Sequence, residues 1–548
     1  MPGRKERLKP IFGPIIGCAR PFGADGATRR DLHQRVGLPA LSVFCFLLLP
    51  VLAWPGVRAD SSHIQKAVEL ISKGDMKGAE REARLSMADP ASRPLASATL
   101  GAIRLQQKRY EEGAAYLRTA IRLNPQLVGA RISLGDVYVL QGKRVAALEQ
   151  FQEALRLDPA NRNARFTLAQ LERATGNYSE SLKTSDPIVP ELRRSAEGIL
   201  LLASDYTGLK RTDQLRSLVP DWQVLPAPGA PSTDFASLLV KGGLVPEATA
   251  VLEKARLDGA ASFDLYFALA GCYISTGDPD KASQNYEAAL SLKADCVPCL
   301  LQLARIADRQ KGSEKALAYL IRAKRLRPED PETLFEFGKV CLERDLRDDA
   351  IEALQRAVEL RPDDDSNTYV LGSAYVSKKQ YVRARTLFAK LLAKHPNDPV
   401  INYAIGSVFF LEVNLKEAEK YLQRSIAADP KQTGAYYYLG LVAARDGQDE
   451  RAASLFQDLV RRNPDYSPGY EALGSVLLKQ KKYPEAQQAL ERAIELNPDS
   501  AKSHYQLGML LSRTGKQQDG HKELALAEKL EAEEKTKSGQ QLRIISPH

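Results

Sequence analysis

Two cysteines three residues apart, Cys296 and Cys299, form the motif in this sequence whose spacing best suits redox or metal chemistry. Such a pair can serve as a redox couple or close a local disulfide, but a zinc site needs two more thiolate or imidazole ligands. Neither a second CxxC motif nor a nearby histidine provides them. The sequence therefore leaves open a passive disulfide, two free buried thiols or a redox pair, and it predicts no metal and no cofactor.

Motifs for other kinds of catalysis are missing as well. The six histidines are scattered, and no HExxH motif, Gly-rich phosphate loop or GxSxG elbow occurs. Acidic runs such as Asp363 to Asp365 follow a proline, as helix N-terminal acids do. Without a catalytic residue to propose, we predict that the protein is not an enzyme.

The net charge of +9 is concentrated near the N-terminus. Residues 1–59 hold nine Lys or Arg and three acids, whereas the other 489 residues hold 68 basic and 65 acidic groups. A nucleic-acid-binding surface would need excess positive charge on the body of the chain. The charge distribution therefore argues against nucleic acid as a partner.

Residues 1–59 have the layout of an export signal. A basic region precedes the apolar run 38–54, and Val57-Arg58-Ala59 offers small residues before the polar Asp60. We predict cleavage after Ala59 and export to the periplasm or cell envelope. An uncleaved membrane anchor over residues 37–54 is the alternative, and a buried hydrophobic helix is a third interpretation.

The remainder of the chain repeats every 34 residues. Three ladders share this step, and each places one residue type at the same point of successive units. The clearest members are Pro328, Pro362, Pro396, Pro430, Pro464 and Pro498; Gly338, Gly372, Gly406, Gly440, Gly474 and Gly508; and Ala350, Ala384, Ala418, Ala452 and Ala486. A fixed period of this length indicates an array of small structural units.

Each period contains two helical patterns. From Tyr470 to Leu477 apolar residues recur on one helical face, Pro484 suits the first turn of a second helix, and Pro498 closes the unit. We expect Gly474 and Ala486 to lie where the two helices cross, because larger side chains would keep the axes apart. One such pair cannot bury both of its faces, so neighbouring pairs must stack.

The repeat resembles the tetratricopeptide repeat family. The residues that carry the resemblance are Leu134, Gly135, Tyr138, Gly142, Ala147, Phe151, Ala154 and Pro159, and they recur in other units. The resemblance implies an all-α, right-handed superhelical solenoid of about 14 antiparallel helix pairs. It predicts an N-terminal block at 60–184, degenerate repeats or a hinge at 185–262, a C-terminal block with a capping helix at 263–534, and a flexible tail at 535–548.

In this family one face of each first helix lines a concave groove for a peptide or a partner protein. The corresponding positions here are mostly aromatic: Phe267, Leu301, Phe335, Tyr369, Tyr403, Phe410, Tyr437 and Tyr505. Their rings could bind a partner or pack between repeats, and the sequence leaves both roles open. Ser373, Ser407 and Leu441 stand where relatives that clamp chaperone C-termini carry asparagine, so we do not expect that ligand.

These observations predict a non-catalytic scaffold that binds a protein or peptide, in envelope assembly or secretion. Two alternatives stay open: a membrane-anchored adaptor, and a non-catalytic subunit that regulates a glycosyltransferase or protease. The membrane would be involved only through an uncleaved N-terminal segment.

Overall fold

A computed structural model describes residues 62–226 and 229–543 of the chain, with side chains as far as residue 533. The chain forms two compact units, and the boundary between them in the sequence lies between residues 294 and 295. We call the described residues before this boundary the N-terminal unit and those after it the C-terminal unit. The predicted export signal at 1–59, with its alternative as an anchor at 37–54, lies outside the described residues, and so do Cys18 and Cys45.

The N-terminal unit contains six helix pairs, the further helix α10, three short helices and one 3-10 turn. Its α-helices are α1 (Ser62–Ser72), α2 (Met76–Leu85), α3 (Arg93–Gln106), α4 (Tyr110–Leu123), α5 (Val128–Leu140), α6 (Arg144–Leu157), α7 (Arg162–Ala174), α8 (Tyr178–Ser185), α9 (Val189–Leu192), α10 (Ala196–Gly208), α11 (Thr212–Arg216), α12 (Val219–Gln223), α13 (Ala230–Lys241), α14 (Val245–Leu257), α15 (Phe263–Thr276) and α16 (Pro279–Leu292).

The C-terminal unit contains seven more pairs. They are α17 (Val297–Arg309) with α18 (Ser313–Leu326), α19 (Pro331–Glu343) with α20 (Arg347–Leu360), α21 (Asp365–Ser377) with α22 (Tyr381–Lys394), α23 (Pro399–Leu411) with α24 (Leu415–Ala428), α25 (Thr433–Arg445) with α26 (Asp449–Arg462), α27 (Ser467–Lys479) with α28 (Tyr483–Leu496), and α29 (Ala501–Arg513) with α30 (Gln517–Arg543). The predicted all-α architecture of paired helices is confirmed, and no strand occurs in the described residues.

A three-residue turn joins the two helices of a regular pair. After α25 the turn places Gly447 in the left-handed region at φ 78°, and the Gln448 amide donates to the Ala443 carbonyl at 2.9 Å. This is the glycine-capped helix end, which satisfies carbonyls that the helix itself leaves unpaired. The same left-handed position recurs one repeat earlier at Val413, with φ 64°.

The two helices of each regular pair cross at the glycine of the ladder. A Cβ added to Gly474 would lie 2.7 Å from Leu490 Cγ and 3.5 Å from the Ala486 carbonyl oxygen. The prediction that Gly474 and Ala486 mark the crossing is therefore confirmed. The glycine makes room for a large apolar residue sixteen positions later, such as Leu354 opposite Gly338.

The repeat is least regular between residues 178 and 229. Helix α8 has only eight residues, against fourteen in α6, and a 3-10 turn at Asp186–Ile188 follows it. Three short helices lie on either side of α10 in the chain: α9 precedes it, and α11 and α12 follow it. At the other end of the chain, α30 continues to Arg543, beyond the predicted limit of the capping helix at 534.

Hydrophobic burial is distributed along the array. Separate clusters form around Leu100 and Ile103, around Leu117 and Leu134, and around Phe151. Each cluster joins one pair to its neighbour, as expected for a repeat protein. No helix in the described part of the chain is both long enough and apolar enough to span a membrane.

Candidate functional site

The candidate binding surface lies on the first helices of the C-terminal unit, and we call it the first-helix face. Its predicted members are Leu301, Phe335, Tyr369, Tyr403, Phe410, Tyr437 and Tyr505. They recur at intervals of one repeat, with Phe410 two helical turns after Tyr403, so helical geometry sets them on one side. Phe267 holds the corresponding position in the N-terminal unit, where its half-buried ring lies 5.6 Å from that of Tyr286.

Two of the predicted tyrosines are almost fully buried. Tyr369 is 8% exposed and Tyr403 is 5% exposed. The Tyr403 ring packs against the next first helix, where a Cβ on Gly434 would lie 2.7 Å from Tyr403 Cε2. It also meets the Tyr438 ring edge-on, with 5.9 Å between centroids. The structure thus places Tyr403 in the packing between repeats, whereas the Tyr369 ring lies 5.4 Å from that of Phe388 within its own pair.

Burial also raises the pKa of the Tyr369 and Tyr403 hydroxyls well above the ordinary value. The same is true of Tyr437, and burial raises the pKa of Tyr466 to about 12. These phenols therefore stay neutral across the physiological range. They contribute area and hydrogen-bonding capacity to the face but no charge.

Tyr505 has a different environment from its equivalents. It lies on α29 and is 55% exposed. In the described chain no further first helix follows to cover its ring, whereas α25 covers that of Tyr403. The following repeat therefore supplies the burial of the Tyr403 ring, and Tyr505 has no such cover in the described chain.

Apolar side chains that remain half-exposed run along the middle of the face. They are Val376, Phe410 and Leu441, from three successive first helices, and Tyr437 lies beside them. The Arg445 guanidinium sits 5.4 Å from the centroid of the Phe410 ring, and the Tyr438 ring meets Phe410 edge-on. The result is a rigid, largely apolar strip with one cation at its side.

Charged residues line the first two repeats of the same face. Arg305 donates to Glu336 Oε1 at 2.8 Å and to Glu332 Oε1 at 2.6 Å, so it links α17 to α19. Glu336 is nearly buried, and although burial opposes its charge, Lys339 and Arg305 lower its pKa. Burial and a hydrogen bond to Asp308 raise the pKa of Glu343 nearby. The face therefore changes from charged to apolar along the unit.

The two cysteines of the CxxC motif are joined by a disulfide, with 2.17 Å between their Sγ atoms. Cys296 precedes α17 and its Sγ accepts from the Cys299 amide at 3.1 Å. Both residues are buried. Cys272 and Cys341 are buried thiols, and no cluster of three potential metal ligands occurs in the described residues.

Sequence reasoning missed the covering role of the following repeat. The signal was Gly434, a glycine in the first turn of α25 that does not belong to the Gly440 ladder. Gly434 lets the Tyr403 ring approach the backbone of α25. A glycine at this point of the following repeat therefore indicates that the aromatic packs between repeats. The charged pair of Arg305 and Glu336 was also missed, since the two residues fall at different positions of their repeats.

Comparison with known sequences supports the repeat assignment. Models described as "Tetratricopeptide repeat" match residues 96–127, 138–204, 263–296, 301–365, 342–406 and 403–467, and one described as "TPR repeat" matches residues 474–515. Together these matches cover more than half of the chain. The chain belongs to the tetratricopeptide repeat family.

The curated relatives are far longer than the region that they share with this chain. Superkiller protein 3 of Schizosaccharomyces pombe is 27% identical over 113 residues, which cover 21% of this chain and 8% of that protein. Superkiller complex protein 3 of Mus musculus is 29% identical over 109 residues, covering 19% and 7% respectively. The chain thus spans less than a tenth of the length of these relatives.

Solved structures of helical repeat proteins are also similar. A tetratricopeptide repeat protein from Parabacteroides merdae has 16% identity and a TM-score of 0.42, and covers 45% of this chain and 98% of its own. Yeast Tom70 has 15% identity and a TM-score of 0.36, and covers 82% and 97%. These values are too low to carry a function from either protein to this one.

Proposed function

We propose that the protein is a non-catalytic scaffold whose first-helix face binds an extended peptide or a helix of a partner protein. The observation that carries the proposal is the strip of Val376, Phe410 and Leu441, which stays half-exposed on three successive repeats. Partly exposed apolar residues that recur along a protein surface are a common mark of an interaction site. Because it repeats along the array, several modest contacts would add to one stable complex.

Tyrosines packed next to the strip support the same role. Tyr403, Tyr437 and Tyr438 interlock through edge-on ring contacts of 5.8 to 5.9 Å, which hold this part of the surface rigid. A partner that binds a preformed surface loses less conformational entropy than one that must order it. Rigid packing and the exposed apolar groups beside it are therefore complementary parts of one binding surface.

We also propose that the protein acts outside the cytoplasm, in envelope assembly or secretion. The support is the order of basic, apolar and small residues in segment 1–59. N-terminal sequencing of the mature protein tests this proposal. Asp60 as the first residue would agree with an exported protein, whereas retention of residues 37–54 would replace it with the membrane-anchored form.

Substitutions on the strip test the binding proposal. Phe410→Glu and Leu441→Glu should each reduce recovery of the partner in affinity purification of the full chain by about tenfold or more, since a desolvated charge replaces an apolar contact. Val382→Glu is the matched control, because Val382 lies on second helix α22 and is 64% exposed. Equal partner recovery from all three variants and the unchanged chain would refute the proposed surface.

A further inference from the structure

Asp205 occupies a position that belongs to the hydrophobic core of the repeats. The residues 34, 68 and 102 positions earlier are Leu171, Val137 and Ile103, and all three are buried. Asp205 is itself 0% exposed. Facing it from α8 is Ser181, also 0% exposed, which lies 34 residues after the buried Ala147. Two polar side chains thus meet inside an apolar interface between α8 and α10.

Both hydrogen bonds of Ser181 can form together only when Asp205 carries a proton. Ser181 Oγ lies 2.9 Å from the Ala169 carbonyl oxygen and 2.6 Å from Asp205 Oδ2. A hydroxyl has one proton to donate, and a carbonyl oxygen can only accept. When Ser181 donates to Ala169, the short contact with Asp205 is a hydrogen bond only if the carboxyl group donates. The geometry is that of a chain from Asp205 through Ser181 to Ala169.

The surroundings of Asp205 offer little to stabilise a charge. Its Oδ1 atom has no hydrogen-bond partner in the described chain, and neither does Glu172 Oε2 on α7. The charged groups that act on the Asp205 carboxyl are Arg173, which donates to Ser204 at 3.5 Å, and Glu172, which opposes ionisation. Buried carboxylates without partners carry a large desolvation cost.

Charged groups on the other helices that pack against α10 act on its neighbour Tyr206. They are Arg193 after α9, Arg211 before α11, and Asp186 in the 3-10 turn. Among the described residues, neither these helices nor α13 brings a charged group that acts on Asp205. Burial opposes ionisation of Asp205 most strongly, and Glu172 adds to this effect. Arg173 favours the charged form, and so does Ser181 when its hydroxyl turns from Ala169 to donate to Asp205.

We propose that Asp205 and Ser181 form a pH-sensitive joint in the N-terminal unit, which is closed when Asp205 is neutral and loosens when Asp205 loses its proton. Loss of the proton breaks the hydrogen-bond chain and leaves a buried negative charge between α8 and α10. The charge would lie between α10 and α8, a helix of only eight residues whose Tyr178 ring packs against Gly208 of α10. The N-terminal unit therefore becomes more flexible between α8 and α10 as the pH rises.

The direction of the effect follows from the two states of the carboxyl group. Burial raises the pKa of Asp205 from 3.8 to about 7 in the folded chain. A group whose folded pKa is raised stabilises the fold fully below its unfolded pKa, and this contribution is lost as the pH rises. The joint should therefore be tightest below about pH 4 and should loosen as the pH rises through about 7.

Hydrogen exchange of the full chain tests the joint. Exchange rates at pH 5 and pH 8 are divided by the intrinsic rate at each pH, and peptides from 263–292 serve as the internal reference. Protection of peptides within 176–208 should fall by about tenfold or more between pH 5 and pH 8, as expected for a pKa shift of one unit or more. Protection that is the same at both pH values would overturn the proposal.

Two variants assign the effect to the joint. Asp205→Asn should keep its pH 5 protection at pH 8, because the amide can donate to Ser181 without ionising. Asp234→Asn, at an exposed site on α13, should behave like the unchanged chain. Ser181→Ala removes the acceptor of the Asp205 proton, so it should lower the protection of the same peptides at pH 5. A pH-dependent loss that persists in Asp205→Asn, or an unchanged protection at pH 5 in Ser181→Ala, would refute the joint.

Discussion

The Phe456 ring fills the space that a side chain on Gly440 would need. A Cβ at Gly440 would lie 2.5 Å from Phe456 Cε1, closer than carbon atoms approach without displacement. Gly440→Ala should therefore destabilise the chain by about 1–3 kcal/mol, because the ring must leave its packed position. Chemical denaturation followed by circular dichroism measures the change.

Gly129 provides the opposite case. It lies in α5 with no heavy atom within 4 Å of an added Cβ. Gly129→Ala should be neutral or stabilise by up to about 1 kcal/mol, since alanine favours a helix over glycine. If both variants change stability equally, steric exclusion at the crossing is not the reason for the glycine ladder.

Val413 is expected to be a weak point of the C-terminal unit. It adopts φ 64° although it is β-branched, and it is 56% exposed, so its side chain gains little from burial. Val413→Gly should stabilise the chain by about 1 kcal/mol by removing backbone strain. The reverse change at the equivalent turn, Gly447→Val, should destabilise it. A lower melting temperature for Val413→Gly would contradict this explanation.

Tyr403 and Tyr505 should respond differently to truncation. Tyr403→Ala would leave a cavity between α23 and α25 and should cost about 3–5 kcal/mol, as for other buried aromatics. Tyr505→Ala should cost less than about 1 kcal/mol, because the ring is 55% exposed. Thermal unfolding followed by circular dichroism compares them, and similar losses would show that the following repeat does not determine the role of the residue.

Glu80 should make the N-terminal unit sensitive to acid. Hydrogen bonds from Arg104 at 2.6 Å and Arg84 at 2.7 Å lower its pKa to about 2. A lowered pKa stabilises the fold above the unfolded value near 4.5, and the contribution disappears as the pH falls toward 2. Glu80→Gln should cost about 1–3 kcal/mol at pH 7 and progressively less in acid.

The fluorescence of Trp222, which is buried against Phe235 in the N-terminal unit, reports this unfolding once Trp54 is replaced by Phe. Glu149→Gln is the matched control, since Glu149 is exposed on α6. A difference between Glu80→Gln and the unchanged chain that stays constant from pH 7 to pH 3 would contradict the assigned role.

The helix pairs could be predicted from the sequence because the ladders record a geometric requirement. Gly474 and Pro498 mark a crossing and a helix end, and both features recur unchanged. The segment after residue 185 could not be predicted in detail, because α9, α11 and α12 are short and do not follow the 34-residue step. Their positions depend on tertiary packing, which leaves no periodic signal.

The candidate site could be predicted only in part from the sequence, for the same reason. Periodicity places Tyr403 and Phe410 on one side of α23, but it does not say which ring the next repeat covers. Asp205 gave a signal that went unused, since an acid replaces Leu171 and Val137 at a buried position of the repeat. An acidic residue at a repeat position that is apolar in neighbouring units therefore indicates a buried polar site.

The most direct test of the binding surface is site-specific photocrosslinking in the native host. A photoreactive phenylalanine analogue replaces Phe410 in one chain and Val382 in another, so that the two probes sit on the first and second helices of neighbouring pairs. The proposal predicts a discrete adduct with another protein from position 410 and none from position 382. Adducts from Val382 alone, or the same adducts from both positions, would contradict it.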